Sequence, residues 1–97
     1  MIRSFASDGV EDVFAGADSR LARRVCPRTL WAVARRKLDR LNAAVTLAGL
    51  RVPPGNRLEA LKGDRKGHHS IRINDQFRLC FIWTDDGPTD VDIVDYH

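Results

Sequence analysis

Apolar and polar positions alternate most strictly along Ser70-Ile-Arg-Ile-Asn-Asp-Gln-Phe-Arg-Leu-Cys-Phe-Ile-Trp83, where every odd position except Asp75 is apolar. A period of two predicts a strand on each side of Asn74-Asp75-Gln76, folded back as a hairpin. If Ile73 lies opposite Phe77 the apolar faces coincide, and Arg72 then stands directly across from Arg78. Like charges at facing positions destabilise a strand pair. Such a sheet either has something negative to place there or lets two long side chains splay into water, and geometry alone leaves both open. A further alternating stretch turns Val91 and Ile93 to one side and Asp92, Val94 and Tyr96 to the other. Pairing Ile93 with Phe81 brings Tyr96 beside Arg78, in a register that can slip by two residues. Arg72, Arg78 and Tyr96 then form a row across three strands, with Asp95 and His97 at its end.

The first half of the chain carries helical spacing instead. Ile2–Phe5 reads as a short first strand. Asp8 can cap a helix running to about Ala15, with Glu11 three residues on as in a capping box and Val10, Val13 and Phe14 as its apolar face. Gly16 breaks it. Asp18 or Ser19 can cap a second helix, which Pro27 kinks or restarts. Beyond Pro27, Leu30, Val33, Ala34, Leu38 and Leu41 recur on one side, and Arg28, Arg35, Arg36, Asp39 and Arg40 lie elsewhere around the helix. A charged outer face of this kind is usually just solvated; direct contact with RNA is the alternative. Leu47–Asn56 reads as a loop, with strands at about Arg57–Leu61, His69–Ile73, Phe77–Trp83 and Val91–Tyr96 and a turn at Asp85-Asp-Gly-Pro-Thr. The order β-α-α-β-β-β-β predicts an α+β fold, two N-terminal helices packed on one face of a twisted, mainly antiparallel sheet. The 97 residues are expected to form one domain, 1–97, with a modest core.

Composition narrows the class. With 43% hydrophobic and 30% charged residues the chain is of ordinary globular type. No apolar run reaches the roughly 20 residues of a membrane span, and the N-terminus lacks an apolar signal core, so no membrane association and a cytoplasmic location are expected. Cys26 and Cys80 fit no zinc or redox spacing and read as reduced, partly buried thiols. Charge is segregated: between Ser19 and Thr84 there are 15 Lys/Arg against four acids, while both ends are acidic. A basic middle of about +11 favours a polyanion such as nucleic acid, and it also suits an acidic protein that masks it.

The row of Arg72, Arg78 and Tyr96, with Asp95 and His97, is suited to cleaving RNA without a metal. Attack of a 2′-hydroxyl on the adjacent phosphate needs a base, an acid for the leaving oxygen, and cations over the developing charge. Each residue alone is weak evidence, since a terminal histidine is more often a tail and a tyrosine near a strand end is commonly packing. The loop Leu61-Lys-Gly-Asp-Arg-Lys-Gly-His-His69 adds Lys62, Arg65 and Lys66 beside the hairpin, and Gly63 and Gly67 permit close approach to a phosphate. It lacks P-loop spacing. His68 and His69 point to opposite faces of a strand, a poor metal pair, so no metal site is expected.

Taken together, Ile2-x-Ser4-Phe5, Gly9, Phe14, Leu61-Lys-Gly-Asp-Arg65, Gly67, Ser70, Arg78, Phe81 and the terminal Asp95-Tyr96-His97 resemble the HigB-type toxins of the RelE/ParE superfamily. These are toxin halves of bacterial type II toxin–antitoxin modules, and the resemblance covers nearly the whole chain. It implies a small α+β fold and ribosome-dependent cleavage of mRNA in the decoding site, without metal or cofactor. It assigns Lys62 and Arg78 to the scissile phosphate, Asp95, Tyr96 and His97 to the catalytic group, and Arg65 to the surface meeting ribosomal RNA. Lys66 and Arg72 are further candidate RNA contacts. Members often carry a histidine three residues before the loop lysine; Glu59 stands there, and its charge is unfavourable beside a phosphate. The implied partners are the ribosome with its mRNA and a cognate antitoxin with a helix-turn-helix DNA-binding domain, through which alone the toxin meets operator DNA. Two alternatives remain: a superfamily member that blocks DNA gyrase, and an attenuated RNA-binding toxin.

Overall fold

Ser7, one residue before the expected cap, starts the first helix. Its hydroxyl accepts from the Val10 amide at 3.3 Å, which leaves Asp8 and Glu11 in the first turn, where negative charge faces unpaired N–H groups. Ser and Asp cap about equally well, so adjacent candidates are not separable by residue type. The computed structural model describes residues 1–96. Helix α1 (Asp8–Ala15) buries Val10 and Val13 and closes on Gly16 at φ 79°.

Helix α2 (Arg20–Val25) starts at Ser19, whose hydroxyl accepts from the Ala22 amide and donates to Asp12 at 2.6 Å, tying the start of α2 to the second turn of α1. The two helices approach closely at Gly9, where a Cβ would lie 2.6 Å from Val25 Cγ2 and 2.7 Å from the Leu21 carbonyl. The second helix then ends outright. A residue before proline is pushed to extended geometry, and Cys26 adopts φ −162°, ψ 161°. One 3-10 turn, Arg28–Leu30, leads into α3 (Trp31–Ala43). Pro27 therefore restarts rather than kinks, and three helices stand where two were expected. The Trp31 indole donates to the Cys26 carbonyl at 3.1 Å and fastens the break.

The sheet has the order β1-β2-β3-β4, every pair antiparallel: β1 (Glu59–Ala60), β2 (His69–Arg72), β3 (Phe77–Thr84) and β4 (Gly87–Asp95). The hairpin follows its alternation. Asn74 Oδ1 accepts from the amides of Gln76 and Phe77, Ile73 donates to the Phe77 carbonyl at 3.0 Å, and Arg72 pairs with Arg78. The last strand took the slipped register: Ile93 faces Leu79 instead of Phe81. Between Cys80–Asp92 and Ile82–Thr89 the fourth strand carries one extra residue, and Asp90, at φ 52°, takes up the bulge.

Two expected strands are shorter than their sequences suggest. The segment Ile2–Phe5 makes a single parallel bridge, Phe5 to Val91. Its ladder cannot extend because Pro88 has no N–H to give and the Asp90 amide is taken by Ser4 Oγ at 2.8 Å. The segment Arg57–Leu61 shrinks to β1 because Arg57 sits in the left-handed region at φ 47°. Gly87 is buried at φ 123° under the N-terminus, where a Cβ would meet the Met1 carbonyl oxygen at 2.2 Å.

The helices cover the face carrying Ile71, Ile73, Phe77, Leu79, Phe81, Val91 and Ile93, which form one core with Val10, Val13, Ala34, Leu38 and Leu41. The opposite face is covered as well: Ser70 and Cys80 are fully buried and Arg78 is 9% exposed. Segments flanking β1 do this. The Arg57 carbonyl bonds to Arg78, and Arg65, from the 3-10 turn Gly63–Arg65, lies within electrostatic reach of Cys80.

Candidate functional site

Arg78 sits mid-strand on β3, and its alternation turns it away from the helices. Nε donates to Ser70 Oγ at 2.8 Å and Nη2 to the Arg57 carbonyl at 2.5 Å, with a long contact to the Ser70 carbonyl at 3.5 Å. All three acceptors are neutral, and among the described residues no carboxylate forms an ion pair with it. Among the described residues Nη1 makes no hydrogen bond, and it is not one of the buried unpartnered side-chain atoms, which are His68 Nδ1 and His69 Nδ1. A charge so far withdrawn from water is costly without a counter-ion, and a fork held rigid at one end suits a planar or tetrahedral oxyanion.

The facing arginines have parted. Arg72 pairs with Asp75 across the turn, while Arg78 lies along Ser70 and its guanidinium carbon stands 5.7 Å from the centre of the Tyr96 ring. With the slipped register Val94, not Tyr96, faces Arg78 directly; Tyr96 is the diagonal neighbour, within reach of a long side chain. The Tyr96 amide donates to the Gln76 carbonyl at 2.6 Å, and the residue is 44% exposed with the Arg78 cation against its ring.

The other candidates divide. Asp95 pairs with Phe77, so by strand alternation its side chain leaves from the face opposite Val94; it accepts from Gln76 Nε2 at 3.0 Å. Lys62 is exposed just ahead of the 3-10 turn Gly63–Arg65, and Lys66 is exposed after it. Arg65 is brought to the Arg78 face. Glu59 faces Ser70, the residue that holds Arg78 Nε. His97 lies outside the described residues. The two loop histidines separate as expected: His69 stacks on Phe81, and His68 lies 3.5 Å from the Asp90 carboxylate.

Burial raises the thiol pKa of both Cys26 and Cys80, which are free and buried. Burial likewise raises the Asp92 carboxyl, opposed by the Ile93 amide that it accepts and by Arg65. A carboxyl whose folded pKa is raised opposes folding once ionised. The penalty is absent below its unfolded pKa, grows as pH climbs towards the folded value, and is full above it. Asp92→Asn should therefore match the wild type in acid and become the more stable of the two towards pH 7. Urea titrations at several pH values read this, and a less stable variant at pH 7 contradicts it.

Three supports of the site had no signal in the sequence. The Arg57 carbonyl is one. Asn56, fully buried, is the second: it donates to the Leu50 and Val52 carbonyls at 3.1 and 3.2 Å. Lys37 is the third, donating to Asn56 Oδ1 at 2.5 Å. The Pro53-Pro54-Gly55 composition marked this segment as loop, and nothing in it distinguishes a buried asparagine from an exposed one.

Three helices on a four-stranded antiparallel sheet, with an oxyanion-ready arginine on the far face, define a small RelE-like α+β protein. The chain belongs to the HigB-like toxins, RelE-like toxins of the type II toxin–antitoxin system HigB; the family match spans residues 3–97. It is 48% identical over 62 residues to Toxin HigB-1 of Vibrio cholerae serotype O1, a stretch covering 64% of this chain and 65% of that protein. It is also 42% identical over 55 residues to an uncharacterized protein of Haemophilus influenzae, covering 57% and 54% respectively. The matched stretch is thus under two thirds of either relative's length.

Proposed function

We propose that the chain is the toxin of a type II toxin–antitoxin module and stops translation as a ribosome-dependent, metal-independent endoribonuclease that cuts mRNA in the A site. The observation that carries this reading is Arg78, nearly buried and bonded, among the described residues, only to neutral acceptors, with an exposed tyrosine against it. A phosphate there gains a charge-assisted bond from Nη1 and relieves the cost of the buried cation. As the 2′-hydroxyl attacks, negative charge grows on the non-bridging oxygens, where a preorganised guanidinium is most effective. Tyr96 offers a ring for stacking a base and a phenol as proton donor. Asp95 or His97 takes the 2′-hydroxyl proton. Lys62 and Arg65 add charge along the phosphate path, with Lys66 and Arg72 as outer contacts.

Dependence on the ribosome fits a site that stabilises a phosphorane and contacts the strand through its phosphates, while the decoding centre supplies the orientation of the reacting nucleotide. The family further suggests a cognate antitoxin with a helix-turn-helix domain, through which the toxin reaches operator DNA, and action in the cytoplasm. Induction of the wild-type chain followed by primer extension on abundant mRNAs tests the reading. New 5′ ends inside codons are expected within minutes of induction. Arrested growth without new ends would overturn it and favour a block of DNA gyrase.

A further inference from the structure

Some arginines of the helical layer already have partners or close neighbours. Arg23 and Arg28 pair with Asp18, Arg28 also lies over the Trp31 ring, and the Arg35 guanidinium rests beside Gly16. Arg36, Lys37 and Arg40 are different. None forms an ion pair among the described residues, and Lys37 is half-buried with the neutral Asn56 as its hydrogen-bond partner. Burial depresses the Lys37 pKa, and the charges of Arg40, Arg36 and Arg72 depress it further. Arg72 thus brings the sheet's charge within reach of α3.

The geometry joins this cluster to Arg78. Lys37 bonds to the side chain of Asn56, and Arg78 bonds to the carbonyl of the next residue, Arg57. The two cations bracket one short stretch of backbone, and Arg72 stands opposite Arg78 on β2. We propose that Lys37, flanked by Arg36, Arg40 and Arg72, forms a second phosphate site for the RNA strand, adjoining the one at Arg78. This rests on the reading of RNA as the substrate. Among the described residues Arg36, Lys37 and Arg40 form no ion pair, although Asp39 lines the same hollow as Arg36 and Asp75 pairs with Arg72; the cations around Lys37 repel it, and one phosphate relieves several of these repulsions together. An RNA strand fits better than an acidic protein segment because its charges repeat along a continuous backbone, as a row running from α3 to β3 requires. The extra contact would help hold the strand in register while Arg78 acts on the neighbouring phosphate.

The test is the salt dependence of binding to a 2′-O-methyl RNA 12-mer, which cannot be cut by 2′-hydroxyl attack. Each phosphate contact on a single strand adds about 0.7 to the slope of log affinity against log salt. Lys37→Met should lower the slope by about 0.7. Lys37→Gln, which retains a donor for Asn56, should lower it equally, whereas Lys37→Arg and Arg35→Met should leave it unchanged. A slope unaltered by Lys37→Met and Lys37→Gln overturns the proposal, as does an equal fall with Arg35→Met. Tighter binding of a glutamate-rich peptide than of RNA with the same charge, lost in Lys37→Gln, also overturns it in favour of an acidic protein. Failure here and failure of the nuclease reading are separable. A slope change with no mRNA cutting leaves this site standing, and mRNA cutting with no slope change removes it alone.

Discussion

Arg78→Ala should lower the rate of mRNA cutting by about 100- to 1,000-fold, the usual cost of removing one preorganised donor from a developing oxyanion, and should abolish growth arrest. The effect on folding should be much smaller, because two terms oppose each other. The buried Ser70 hydroxyl and the Arg57 carbonyl lose their donor, at about 1–3 kcal/mol for an unsatisfied buried group. The desolvation cost of a nearly buried cation disappears at the same time. Cooperative unfolding close to the wild-type midpoint, with activity gone, is the expected pattern. Arg78→Lys keeps the charge but loses the fork that holds Ser70 and Arg57 together, so it should retain only part of the activity. Cutting by the alanine variant within tenfold of wild type would remove Arg78 from the chemistry.

The largest effect on stability should come from Asn56→Ala. Its side chain, itself fully buried, satisfies the Leu50 and Val52 carbonyls and accepts from the half-buried Lys37. Truncation leaves those groups to find water or go unpaired, at a combined cost of about 2–4 kcal/mol out of the roughly 5–15 kcal/mol typical of a small domain. Asn56→Asp separates the roles. It still accepts from Lys37, but it sets a carboxylate against two carbonyls, and it should be at least as destabilising as alanine. Because Arg57 follows directly and presents its carbonyl to Arg78, activity should fall in both variants beyond what the folded fraction explains. Urea denaturation alongside cutting assays at matched folded concentration measures both, and a stability change below about 1 kcal/mol for alanine would show that the 50–57 segment holds itself.

The hairpin and its arginine pair were legible because alternation with one buried face fixes register strongly, and the side chains of that face all reach the core. The fourth strand was legible in face but not in register. A bulge placed at Asp90, a non-glycine residue at φ 52°, leaves no mark in the pattern. Pro27 announced an interruption, yet its completeness was settled by Cys26 turning extended and by the Trp31 indole closing on its carbonyl. The site was legible as a set of residue types and only partly as an arrangement. Alternation placed Arg78 on the face away from the helices but could not say that the Pro54–Arg57 segment would fold over it and turn an exposed cation into a nearly buried one. Alternation did already imply that Asp95 leaves on the face opposite Val94, the residue paired with Arg78, so its expected place at the end of the arginine row did not follow from the pattern. Lys37 was hidden for a related reason: it sits on a helix whose outer face looks simply solvated, and its partner lies 19 residues away.

The most direct measurement uses purified chain, a defined mRNA, and ribosomes stalled with a known codon in the A site, with cut ends mapped at single-nucleotide resolution. The wild-type chain should cut within that codon when ribosomes are present and leave the same mRNA intact when they are absent, while Arg78→Ala should yield no product in either case. Equal cutting of free and ribosome-bound mRNA, or the same products from wild type and Arg78→Ala, would contradict a ribosome-dependent nuclease centred on Arg78.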